Sequence, residues 1–172
     1  MKKMVIITIV LTLGLSSGAF AQESATAVVD AVVQAALSIA KVSDVDFGNI
    51  SATSTPIIDP TGVSHTDVNT PTVGEFTITG QSGAGVNITL TSATTTLGDG
   101  TNTMTFTADL KQHATTQASA IAISNPVTLG GSTHKLWLGG NLGTLTSQPS
   151  GTYASDNVTN GGGDIEVNVV YN

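Results

Sequence analysis

The side chains that could do chemistry here are few: three histidines, twelve carboxylates, one tryptophan and two tyrosines, with no cysteine at all. His65, His113 and His134 have neither His-x-x-x-His nor His-x-His spacing, so a shared metal would require the fold to gather them from three loops or strand edges. Separate surface histidines are the expectation. Asp44 and Asp46, one residue apart on a strand, point to one face and could hold a cation together with Asp59 or Asp67. Calcium asks for about six or more oxygen ligands, usually from one Asp- and Asn-rich loop. Neither EF-hand nor RTX spacing is present, which favours solvated acids and turn formers. The serines lack a Gly-x-Ser-x-Gly elbow, and no Ser, His and Asp set is suggested by order. Gly83-Ala84-Gly85 and Gly139-Gly140 are not followed by a lysine or a helix start, so they do not read as phosphate cradles. Without cysteine there is no thiolate zinc site, iron–sulfur cluster or thiol catalysis. Trp137 and Tyr153 would form a sugar-stacking platform if exposed, although a lone tryptophan in a β-domain more often lies in the core. Asn49, Asn87 and Asn157 stand in Asn-x-Ser/Thr triplets, which a Thr-rich chain produces by chance. The reading is no catalytic residues, no cofactor and no metal: a chain that is not an enzyme.

The element that would position any of these groups is the stretch from Ala27 to Ile50. Ala27, Val29, Ala31, Val33, Ala35, Leu37 and Ile39 fall on every second position, with Asp30, Gln34 and Ser38 between them, the period of a strand with one buried face. Val28, Val29, Val32, Val33, Ala36 and Leu37 also make a stripe at helical spacing. The four valines and the β character of the remaining chain favour the strand. It breaks at Asp46-Phe47-Gly48-Asn49-Ile50, where an aromatic plugs the core and Gly and Asn turn the chain.

Lys2 and Lys3, the apolar run Met4 to Leu15 and the Ala19-Phe20-Ala21 site make residues 1–21 a secretory signal peptide, too short and wrongly flanked to span a membrane. The mature chain, 22–172, is then one domain of 151 residues with three lysines, no arginine and twelve acids, a formal charge of −9. Phosphate binding runs on Lys and Arg, so nucleic acid is not an expected partner. The expected location is the periplasm, the outer surface or the medium, with no membrane span after cleavage.

Along the mature chain, Asp59-Pro60-Thr61-Gly62 has turn chemistry. Gly74 to Gly80 is a strand with Phe76 and Ile78 on one face, and Val86, Ile88 and Leu90 alternate on the next, which suggests a hairpin. Gly98-Asp99-Gly100 is a turn, followed by Met104, Phe106 and Ala108 on a strand. Lys111 to Gln117 is polar and reads as a loop. Ala120 to Ile123 and Leu136-Trp137-Leu138 give short strands, with Leu142 and Leu145 as a further candidate. Pro149 to Tyr153 is a turn, Asn160 to Asp164 a flexible hinge, and Ile165, Val167, Val169 and Tyr171 alternate on a final strand. About eight closely spaced strands with almost no helix predict an all-β chain, an Ig-like or Greek-key antiparallel β-sandwich.

Several motifs in this order resemble a known family. They are Leu37-x-Ile39-x-Lys41 with Val45-Asp46-Phe47-Gly48-x-Ile50, then Glu75-Phe76-Thr77-Ile78-Thr79-Gly80 with Val86-Asn87-Ile88-Thr89-Leu90. Leu138-Gly139-Gly140-x-Leu142, Gly151-Thr152-Tyr153 and Val167-x-Val169-x-Tyr171-Asn172 complete the set. Together they are similar to the domain-of-unknown-function 4402 family, secreted bacterial β-proteins for which no catalytic residues carry over. The Asn160 to Asp164 insertion departs from that pattern. A looser likeness is to pilus subunits of the chaperone-usher type, which carry an alternating N-terminal segment and a penultimate tyrosine, here Tyr171. This likeness implies self-association as a partner mode, a homopolymer through the Ala25 to Leu37 strand. The competing expectation is that this strand pairs within its own sheet. The functional expectation is a structural or adhesive surface protein that binds itself or another surface protein; the alternative is a carbohydrate- or small-ligand-binding module.

Overall fold

The computed structural model describes residues 26–172, so the signal-peptide reading of residues 1–21 lies outside the described residues. The chain divides into a unit ending at Val32 and a unit running from Val33 to Asn172. In the first, residues 26–32 form no strand or helix and are all exposed. The second is an antiparallel β-sandwich.

One sheet runs in the order β1-β3-β9-β6-β5. Its strands are β1 (Ser38–Ser43), β3 (Gly74–Thr79), β5 (Thr94–Gly98), β6 (Thr103–His113) and β9 (Thr133–Asn141). Two short pieces extend it: β2 (Ile57–Ile58) on β9 and β7 (Ile121–Ala122) on β6. The facing sheet is β10-β4-β8, with β4 (Gly85–Leu90), β8 (Val127–Thr128) and β10 (Val167–Tyr171). Period-2 patterning sets both inner faces. Ile78, Leu136, Val86, Ile88, Val127, Leu129 and Val167 close one core cluster. Phe47, Ile58, Met104, Phe106, Leu142 and Leu145 close a second. Each fully buried Ile or Leu contributes about 1.5–3 kcal/mol of hydrophobic stabilisation.

The alternating N-terminal stretch is where sequence and structure part. Strand structure starts only at Ser38, and residues 26–36 are unpaired and exposed. Alternation records that one face of a segment suits burial, but it does not supply a neighbouring edge. The expected β3–β4 hairpin is also corrected, since the two strands lie in different sheets. The loop between them carries the chain across the sandwich, where Gly83 N–H donates to Leu129 O at 2.9 Å and Leu129 N–H to Ala84 O at 3.0 Å. β4 then takes β10 and β8 as neighbours.

Lys111 to His113 is strand rather than loop, because Lys111 stands opposite Trp137 and Gln112 opposite Leu136 in the β6–β9 ladder. Leu142 and Leu145 are core residues on irregular backbone, not a strand. The Asn160 to Asp164 stretch is pinned rather than a hinge. Gly162 N–H donates to Thr96 O, Gly163 N–H to Ser155 O, and the Asn160 amide to Asn102 O.

Gly139 and Gly140 sit inside β9, and their lack of a side chain is what the packing requires. A Cβ on Gly139 would lie 2.3 Å from Ile58 O; at Gly140, with φ +147°, it would lie 2.1 Å from Thr107 O. The pair lets the backbones of β2 and β6 approach the strand directly.

Candidate functional site

A cleft of about 740 Å³ lies at the end of the sandwich that holds Phe47. One wall is the end of β1 and the following residues 43–50; the other is the irregular run 151–156 with 164–165. Phe76, Met104, Phe106, Leu138 and Leu142 form an apolar floor.

The Asp46 to Asn49 turn builds the first wall. Asp46 accepts a hydrogen bond from Gly48 N–H at 2.8 Å, and Gly48 has φ +61° with Asn69 O where a Cβ would stand. That conformation drives Phe47 inward, where it meets Phe106 edge-on at a centroid distance of 5.8 Å and 81°. Edge-to-face contact is a favoured aromatic arrangement. The second wall is held by Tyr153, whose hydroxyl donates to Pro149 O at 2.9 Å and accepts from the Gln148 amide at 3.0 Å. Ala154 and Gly98 exchange backbone hydrogen bonds, so the wall is tied to β5. Ser155 donates to Asp164 at 2.5 Å.

The rim is acidic: Asp44, Asp46, Asp156 and Asp164 line it, and Lys41 is its one cation. Lys41 pairs with Asp44 at 2.7 Å, which raises the lysine above its ordinary range, the hydrogen bond acting first and the charge second. The arrangement offers a cleft with an apolar floor and a charged lip, in which the Ser155 hydroxyl is hydrogen-bonded to the Asp164 carboxylate.

The remaining candidate residues are dispersed. Asp59 lies on the other side of the large sheet, where it accepts from the Thr61 backbone and hydroxyl and pairs with Lys111 at 3.5 Å. Burial works against its charge, but these partners outweigh burial and hold the carboxyl below its usual range. Asp67 accepts from Thr55 N–H at 2.9 Å. Asp44 and Asp46 thus share a rim with neither of them. Among the described residues no group of three or more His and acidic side chains is placed to hold a metal ion.

His65 accepts from Asp59 N–H, and His113 accepts from Thr115 and Thr116 N–H. His134 departs from the surface expectation: it is buried on β9, with Nε2 2.6 Å from Gln112 Oε1 and Nδ1 without a partner. Burial, and then the nearby His113, push its pKa below the ordinary value.

Trp137 is 2% exposed, so it presents no stacking face. It stands between Glu75 on β3 and Lys111 on β6. Asn87 lies in β4 and Asn49 beside the cleft, while Asn157 accepts from Thr159 and Asn160 N–H to shape its own loop.

One connection was not derivable from the local sequence. The Tyr171 hydroxyl donates to Ala35 O at 2.8 Å and accepts from Gln81 N–H at 2.7 Å. Gly80 makes room for it: a Cβ there would meet the Tyr171 hydroxyl at 2.9 Å and Leu37 at 3.0 Å.

A family model described as "Domain of unknown function (DUF4402)" matches residues 37–171. No curated protein matches the chain. The matched span opens at Leu37, half-buried against the first core cluster, closes at Tyr171, and leaves the exposed residues 26–36 outside it. On that match over most of its length, the chain belongs to the DUF4402 family.

Proposed function

We propose that this is a non-catalytic exported structural or adhesive protein, and specifically a filament subunit that assembles by strand complementation. The observation that carries the reading is the unpaired segment before β1. Residues 26–36 have strand alternation yet no strand partner, and Val28, Val29, Val32 and Val33 are 86–92% exposed. Such a run costs solubility in a monomer and gains apolar burial when it adds to a sheet edge. The test is light scattering after size-exclusion chromatography on the mature chain beside one starting at Leu37. Ladders from the first and a folded monomer from the second support the reading; a clean monomer from the full mature chain overturns it.

A second reading, a carbohydrate- or small-ligand-binding module, is favoured by the cleft alone, with its apolar floor and acidic lip. Glycan-array binding that is lost on Tyr153→Ala but kept on Trp137→Phe would move the reading there.

A further inference from the structure

We infer that the cleft and the two strand edges flanking it receive residues 27–34 of a second copy of this chain. This rests on the filament reading above and adds where the incoming strand lodges.

The edges are found by elimination. β5 ends the large sheet on one side, but its outer edge is covered: Gly162 N–H donates to Thr96 O and the Thr95 hydroxyl donates to Gly163 O. β7 and β8 are two residues each, too short to template a strand of this length. Among the described residues there remain β1, six residues paired only to β3, and β10, five residues paired only to β4. They end the two sheets on the other side, and the cleft is lined by Lys41 and Ser43 of β1 and by Asp164 and Ile165 leading into β10. Neither edge carries a proline; β1 does have Lys41 and a register shift between Lys41 and Ser43, both at the end that meets the cleft, which leaves Ser38 to Ala40 and the length of β10 as the unguarded edge.

The occupant follows from the chain itself. The cleft has an apolar floor and opens where β1 ends and the chain leads into β10, and residues 27–34 have the alternation of a strand with one apolar face to lay on that floor. To reach the edge of its own β1 as a hairpin, the segment would have to reverse within Gln34-Ala35-Ala36-Leu37-Ser38. That stretch carries none of the Gly, Asn or Asp residues that favour a tight hairpin reversal. Tyr171 also holds Ala35 O at the start of the sandwich, and the occupant we assign is therefore the same segment of another molecule. Its face of Ala27, Val29, Ala31 and Val33 would lie on the floor, with Asp30 turned to the rim near Lys41.

Because the chain has no cysteine, engineered thiols report this directly. Mature chain carrying Val29→Cys and Lys41→Cys, both exposed positions, is joined with a short bis-maleimide. The expected result is a ladder of covalent oligomers on a denaturing gel, reproduced when Asp156→Cys on the facing wall replaces Lys41→Cys. Oligomers that link Val29→Cys only to Thr128→Cys on β8 would overturn the cleft assignment and leave strand exchange standing. A link within single chains would overturn it in favour of self-insertion. Monomers with no link under any pairing would overturn the filament reading as well.

Discussion

The phenol of Tyr171 bridges Ala35 O and Gln81 N–H, so the penultimate residue clasps the start of the sandwich to the loop between β3 and β4. Neither hydrogen bond survives in Tyr171→Phe, while the ring keeps its packing. The loss should be about 1–3 kcal/mol, since a backbone donor and a backbone acceptor both lose a partner. A lower urea midpoint at an unchanged slope would confirm it; an unchanged midpoint would mean that the clasp is not formed in solution.

Two glycines with positive φ should respond very differently to alanine. Gly140→Ala puts a methyl 2.1 Å from Thr107 O and 2.7 Å from the Phe106 ring, so folded yield should collapse. Gly163, at φ +82°, has nothing within 4 Å, so Gly163→Ala should cost only the backbone strain, about 1 kcal/mol. Expression and thermal melts of the two variants side by side check this contrast.

Removing the plug beside the cleft should be costly. Phe47→Ala loses the edge-on contact with Phe106 and leaves a void between the wall and the floor, a penalty of about 3 kcal/mol or more. Phe47→Leu should recover much of it. Chemical denaturation of the three proteins provides the measurement.

Two titrating groups give opposite ends of a pH profile. The folded pKa of His134 lies below its ordinary 6.5, chiefly through burial, so the unfolded chain takes up the proton first. Its contribution to stability is complete above pH 6.5 and is lost as pH falls through the depressed folded value. Asp99 is lowered from 3.8 to about 2, first by the Asn102 side chain and then by backbone N–H groups of Asn102 and Thr101. Its contribution holds above pH 3.8 and is lost towards pH 2. Melting midpoints from pH 8 to pH 5 should fall, and His134→Gln should flatten that slope; carbon-detected NMR should show the Asp99 carboxylate titrating at about 2.

The sandwich was legible where alternation met a core. Phe76 and Ile78, Val86 and Ile88, Met104 and Phe106, and Val167 and Val169 all turn the face their pattern implies. Thr94 to Gly98 was not recognised, because a threonine run has no apolar alternation to reveal that it pairs with β6. Gln112 and His134 were misplaced for a related reason: each looks polar alone, and only the register that brings them to 2.6 Å makes them inner residues. The Asp46-Phe47-Gly48 turn was readable from its three residue types. The cleft was not, since its walls come from segments about a hundred positions apart in the chain and no local pattern encodes their separation.

Trp137 is the one tryptophan, buried on β9 between Glu75 and Lys111, and Lys111 also ties down Asp59 in the turn after β2. Its emission is therefore a natural optical gauge, blue-shifted while that turn stays fastened and red-shifted once water reaches the indole. The gauge sits on the opposite side of the sheet from the cleft floor, so a change in its colour during assembly would signal that filling the trough is felt through the sheet.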